Sequence, residues 1–237
     1  MVCLSAQSLE RKHKMSYLGY VDIMTDFCNS AYRSNPSRPV KILEIGVDKA
    51  QTAMPLLSNL TTLGINFIFV GVDVREDETF KTQLKFMNGV EPALCFENKI
   101  HTNSKNPNYF YVIENSLSYL PELEKQGMKF DCILLDGDHN YATVSRELQF
   151  FDRITEEKAI CFADDYNGKH AGKDAFYSES DSHEHVKHMF IDLESSGNKQ
   201  GVNVAIDEFI EQNKNWKLIN EYPQWEPVIM FKDTTLG

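Results

Sequence analysis

Five short apolar runs organise the middle of this chain of 237 residues: VKILEIG (40–46), NFIFVGVDV (66–74), YFYVIEN (109–115), FDCILLD (130–136) and AICFADD (159–165). They are rich in β-branched and aromatic residues, and apolar at successive positions rather than alternate ones. That pattern belongs to strands covered on both faces. Segments of helical spacing follow the first run (50–63), the second (76–89) and the fourth (141–153). Strands alternating with helices build βαβ units, so the expected fold class is α/β, a three-layer αβα sandwich around a mostly parallel sheet.

The two ends of the chain differ from this middle. Residues from about 8 to 32 show helical spacing, and SNPSRP then ends the pattern with two prolines. Residues 1–39 are therefore read as a helical cap, and 40–237 as the main domain. Near the other end, Val202, Ala205, Ile206, Phe209 and Ile210 share one helical face. WKLINEY and PVIMFKD then read as an antiparallel hairpin, which brings the expected sheet to seven strands. Residues 167–201 are polar, carry four glycines and most of the histidines, and read as a lid-like insertion able to cover a site.

Charge narrows the partners. A formal net charge of -11 without any basic block argues against nucleic acid, whose phosphates require basic patches. No apolar run approaches the roughly 18 residues of a membrane span, and the N-terminus lacks the apolar core of a signal peptide. Five cysteines form no CxxC pair, and Cys132 and Cys161 sit inside apolar runs as small hydrophobes. A reducing, cytoplasmic setting and a small-molecule substrate are the expectations. Monomer and homo-oligomer both stay open.

In an open α/β sheet, ligands bind beyond the carboxyl ends of the strands. Acids stand at four of these ends. Glu44 and Gly46 close the first run, in LEIGVDKAQT, where no second glycine completes a G-x-G-x-x-G loop for a pyrophosphate. Asp73 ends the second run, placed to hold ribose hydroxyls. These features favour a nucleoside ligand without a diphosphate. Asp136 follows the fourth run and Asp164 with Asp165 the fifth, so three carboxylates are expected at one sheet edge. Such a cluster suits a hard divalent cation, Mg²⁺, Ca²⁺ or Mn²⁺. Asp136, Asp138 and Asn140 also match the first half of an EF-hand loop, but Tyr141 stands where that loop needs glycine, and a strand precedes it.

The succession LEIG, VGVDV, ENSLSYLPEL, FDCILLDGDHNY, AICFADDY and GVNVAIDEF resembles the class I S-adenosylmethionine-dependent methyltransferases. Within them it is most similar to the macrocin-type (sugar) O-methyltransferase and methyltransferase-24 group. The resemblance spans roughly residues 40–231 and implies a Rossmann-like fold and methyl transfer to a hydroxyl of a small polar molecule. It further implies that Glu44, Gly46, Asp73, Asn115, Ser116 and Asp136 line the S-adenosylmethionine site, and that Asp136, Asp164 and Asp165 hold Mg²⁺. Ala50 stands where relatives often have glycine, and Asn115 where aspartate is common.

Transfer from an already activated sulfonium needs in-line positioning and a base for the accepting hydroxyl. His139, three residues after Asp136, is the expected base, with Asp136 or Asp138 as alternatives. HEHVKH (183–188) misses the HExxH zinc pattern because residue 187 is lysine, and it reads as part of the polar insertion. Two other functions use the same fold: a non-catalytic nucleoside-binding module, and a metal-dependent enzyme of another reaction type.

Overall fold

The computed structural model describes residues 19–75, 93–96, 99–101, 108–191, 193, 198–219 and 226–234. In chain order its regular elements are α1 (Gly19–Ser34), β1 (Val40–Ile45), α2 (Ala53–Thr62), β2 (Phe67–Asp73), β3 (Ala93–Phe96), β4 (Lys99–His101) and β5 (Tyr109–Ile113). There follow α3 (Ser116–Lys125), β6 (Phe130–Leu135), α4 (Tyr141–Ile154), β7 (Thr155–Ala163), α5 (Val202–Gln212), β8 (Trp216–Ile219) and β9 (Val228–Asp233). The expected helix over 76–89 and the first part of the N-terminal helix lie outside the described residues.

All strands join one sheet in the order β4-β3-β5-β2-β1-β6-β7-β9-β8. The five central strands pair in parallel, and β9 returns antiparallel between β7 and β8. These are the seven strands read from the sequence. Two short strands extend the sheet beyond them: β3 pairs parallel with β5, and β4 antiparallel with β3.

Side chains alternate across the sheet with the period of two that strands impose. Leu43, Ile45, Ile133, Leu135, Cys161 and Ala163 face α3, α4 and α5. Val40, Ile42, Cys132, Leu134, Ile160 and Phe162 face α1 and α2. Each helix meets its face with an apolar stripe: Val144, Leu148 and Phe151 from α4, and Leu56, Leu57 and Leu60 from α2. Cys132 and Cys161 are buried free thiols inside these layers. No helix among the described residues is long and apolar enough to cross a membrane.

Two elements depart from the sequence reading. No helix was assigned between the third and fourth runs; α3 forms there with Pro121 inside it, and the Asn115 side chain caps it by accepting the Leu117 N–H at 2.9 Å. Strand β7 begins at Thr155 rather than at 159, since Lys158 already pairs with Asp233 of β9 although its stretch is polar.

At the end of the sheet opposite the site, Asp131 of β6 is buried and accepts from Arg38 Nη1 at 2.9 Å, from Arg38 Nη2 at 2.5 Å and from the Lys41 N–H at 2.8 Å. Removing the guanidinium would strand a buried carboxylate. Arg38→Met should therefore lower stability by roughly 2–3 kcal/mol, the low end for a broken buried pair because Arg38 is partly exposed. Arg153→Met, which breaks an exposed pair with Glu124, should cost less than about 1 kcal/mol. Urea denaturation of the two variants measures the difference.

Candidate active site

Strand order reverses between β1 and β6, and a cavity of about 320 Å³ opens at the carboxyl ends of the strands there. Its floor is the turn after β1. Gly46 has a φ of 79°, and a Cβ there would overlap the carbonyl of Asp136 on the neighbouring strand. Only glycine fits both the conformation and the space. The next two residues are held from the side: Asp73 Oδ2 accepts the Val47 N–H at 2.8 Å and the Asp48 N–H at 2.9 Å. Asp73 Oδ1 accepts the Arg75 N–H at 3.1 Å, and Arg75 pairs with the Asp48 carboxylate. Burial raises the Asp73 pKa, opposed by these backbone bonds. The turn then passes through Ala50 at a φ of 54°, a left-handed conformation in which a Cβ is strained.

The wall on the β5 side is the start of α3, where Asn115 and Ser116 line the cavity. Ser116 Oγ donates to Glu147 Oε1 at 2.5 Å. Glu147 sits on the inward face of α4, lines the cavity, and is only 1% exposed, with its Oε2 unpartnered. Burial pushes its pKa up to about 8, the Asp138 charge adding to the effect and the Ser116 bond opposing it.

Beyond β6 and β7 the acids gather around a histidine. Asp136 lines the cavity, and His139 lies buried beside it with Nε2 at 3.5 Å from Asp136 Oδ1 and Nδ1 at 2.9 Å from Asp165 Oδ2. Both ring nitrogens stand at ion-pair distance, yet neither forms a well-aligned hydrogen bond. Burial alone would lower the His139 pKa, but the two carboxylates outweigh it and push it up to about 10. Asp164 is pushed up to about 7, first by burial and then by the Asp136 charge. Asp165 is held below its usual value by His139, against the effect of burial.

Described residues of the 167–201 segment pack against this edge. Asp138 accepts from the Tyr177 N–H at 3.0 Å and from Thr143 Oγ1 at 3.0 Å, and the His139 carbonyl accepts the Ala175 N–H at 2.9 Å. Asp174 Oδ1 accepts the N–H groups of Tyr141 and Gly201, each at 2.8 Å. The HEHVKH stretch lies on a 3-10 helix over Asp181–Met189, and His183 stacks on Tyr177 with ring centroids 5.2 Å apart. Tyr177, His183 and Phe190 line the cavity.

Of the residues singled out from the sequence, Gly46, Asp73, Asn115, Ser116 and Asp136 line the cavity. Glu44 does not. It faces the α1–α2 layer at 1% exposure with an unpartnered Oε2, and burial, with the charges of Asp136 and Asp73, raises its pKa well above the usual value. Asp136 and Asp164 come together with His139, whereas Asp165 groups with His139 and His170. Asp138, the alternative base, also lines the cavity, whereas Glu147 and Arg75 were not expected there. For Glu147 a signal existed, a charge on the apolar face that Val144, Leu148 and Phe151 define.

No family model matches the chain, and no curated protein matches it in sequence. Solved structures match its fold. The O-methyltransferase TomG from Streptomyces achromogenes, involved in tomaymycin synthesis and in complex with SAM, has 11% identity and a TM-score of 0.54, over 97% of this chain and 86% of that one. An O-methyltransferase from Bacillus cereus in complex with SAH has 13% identity and a TM-score of 0.51, over 97% and 86%. The bifunctional kinase-methyltransferase WbdD has 12% identity and a TM-score of 0.50, over 98% of this chain and 43% of that one. The chain thus has the Rossmann-like methyltransferase fold, a mostly parallel sheet with a C-terminal antiparallel hairpin.

Three variants probe this geometry. Gly46→Ala should lower stability, because the β1 turn must move off the Asp136 carbonyl; the thermal midpoint reads it. Ala50→Gly should change stability by less than about 1 kcal/mol, since relief of the left-handed strain is offset by loss of a buried methyl. The raised pKa of Glu147 makes its contribution fully present below about pH 4.5 and lost as pH rises through about 8. Glu147→Gln should match the parent in thermal midpoint at acid pH and exceed it at pH 8.

Proposed function

We propose that this protein is an S-adenosylmethionine-dependent O-methyltransferase that methylates a hydroxyl of a small polar molecule such as a sugar or glycoside. The observation that carries the reading is the cavity at the reversal of strand order, bordered on one side by the cap of α3 and on the other by the buried Asp136–His139–Asp164 cluster. Gly46 lets a ligand approach the backbone of the β1 turn. Asp73 and Asn115 flank the place where a ribose and base would lie. The names of the structural neighbours support the same cofactor and the same reaction class.

The carboxylates also fit a hard divalent cation. Asp136 and Asp164 are close enough for each to raise the energy of the other's charge, and oxygen donors of this kind are what Mg²⁺ takes. These two residues would hold it, and Asp165 would join only by leaving His139. When bound, such an ion supplies positive charge that holds the substrate oxygens and lowers the hydroxyl pKa. Asp136 is the member of the cluster that reaches the cavity, with the His139 ring 3.5 Å from its Oδ1. We assign the departing hydroxyl proton to this Asp136–His139 pair, as one unit rather than to either residue. Tyr177, His183 and Phe190 close the site from the lid segment and exclude water from the sulfonium.

Calorimetry of the purified chain with S-adenosylmethionine should show saturable binding, and its absence would overturn the reading. His139→Gln should lower kcat by about 10²- to 10⁴-fold while leaving cofactor affinity near that of the parent. Binding without methyl transfer to any acceptor in a screen of hydroxylated metabolites would identify a non-catalytic binding module instead. Turnover that survives chelation would remove the cation from the mechanism and leave the transferase intact.

A further inference from the structure

Asp165 points away from the two acids it was expected to join. Its backbone sits in the left-handed region at a φ of 54°, and its carboxylate lies against His139. Residue 168 has to be glycine for this, since a Cβ there would overlap Asp165 Oδ1. From the lid segment, His170 brings Nε2 to 3.9 Å from the same Asp165 oxygen that faces His139 Nδ1 at 2.9 Å. One donor atom from each of His139, Asp165 and His170 lies within 4.8 Å of the other two.

A transition metal with bonds of about 2.0–2.1 Å sets neighbouring donors about 3.0–3.5 Å apart, so the two observed separations bracket the required one. The histidine at the centre meets Asp136 and Asp165 at ion-pair distance only. His139 is 6% exposed, and its nitrogens are buried without an aligned hydrogen bond. A polar atom left unmet in the interior is costly, and a bound ion would meet it.

We propose that His139, Asp165 and His170 form a second cation site, nitrogen-rich and selective for a borderline divalent metal such as Zn²⁺, Fe²⁺ or Co²⁺ over Mg²⁺. Two imidazoles and one carboxylate suit these ions, whereas Mg²⁺ takes oxygen donors. The ligands come from the β6–α4 loop, from the end of β7 and from the lid segment. An ion here clips the lid segment to the sheet edge beside Asp136 and Asp164 without using either of them. The site does not depend on the cofactor reading, because metal binding is measured without S-adenosylmethionine.

The test is titration of the full chain, freed of metal by a chelator, with Co²⁺ at neutral pH, followed by visible absorption and calorimetry. One Co²⁺ per chain with ligand-field bands is expected. His170→Ala and His170→Gln should each weaken Co²⁺ binding by about tenfold or more, while Asp164→Asn weakens it less. The thermal midpoint of each metal-free variant, compared with that of the parent, shows that it is folded. Addition of Co²⁺ should raise the midpoint of the parent more than that of either His170 variant. A parent that binds no Co²⁺ overturns the proposal. So do His170 variants that bind as the parent does, or a loss on Asp164→Asn larger than on His170→Ala, which would place the ion on Asp136 and Asp164.

Discussion

The site depends on how carboxylates are kept together at one edge of the sheet. Parallel pairing of β1, β6 and β7 brings Asp136, Asp164 and Asp165 to the same end of neighbouring strands, where their charges repel. His139 answers that repulsion. Its ring, wedged between Asp136 and Asp165, supplies a positive charge in an interior where an uncompensated one could not persist. At Asp164 the His139 charge offsets only part of the effect of burial and of the Asp136 charge, and its pKa stays raised. Much of the surrounding architecture serves this arrangement. Asp138 ties the loop that carries His139 to the lid segment, and Asn140 caps α4 by accepting the Thr143 N–H, which fixes where the loop ends.

On the other side of the cavity, Asp73 performs for the β1 turn what a glycine-rich loop does in dinucleotide-binding folds, but by pinning rather than by freeing the backbone. Its carboxylate takes two successive N–H groups, and the turn then tolerates Ala50 in a conformation that glycine would adopt at lower cost. The missing second glycine is thus consistent with a closed, side-chain-braced turn. The wall of the cavity on this side is shaped by hydrogen bonds from the next strand.

Much of the fold was legible because strands buried on both faces have few sequence solutions. The five apolar runs and the terminal hairpin all became strands in the expected order, and 50–63 and 141–153 became α2 and α4 with boundaries shifted by a few residues. Helix α3, which was not assigned, has Pro121 inside it and is held by a cap that acts through geometry, not periodicity. In the site, strand-end positions identified Gly46, Asp73 and Asp136 as cavity residues. Glu44 is turned by one step of the strand alternation away from the lining, towards the α1–α2 layer. Glu147, which strand-end reasoning passes over because it lies within a helix, is a buried carboxyl facing the cavity from α4.

The sequence by itself determined the layer architecture, the edge at which chemistry gathers and the residue types available there. Those follow from local patterns: apolar runs, breaks, and acids placed just after strands. Only the tertiary structure decided which acids act together. Asp164 and Asp165 are adjacent in sequence, yet they face different partners because the backbone turns left-handed at Asp165 and a glycine three residues later leaves room for its carboxylate. Their neighbours His139 and His170 come from elsewhere in the chain. No local pattern encodes such a meeting, since it depends on strand register and on where the lid segment returns to the sheet.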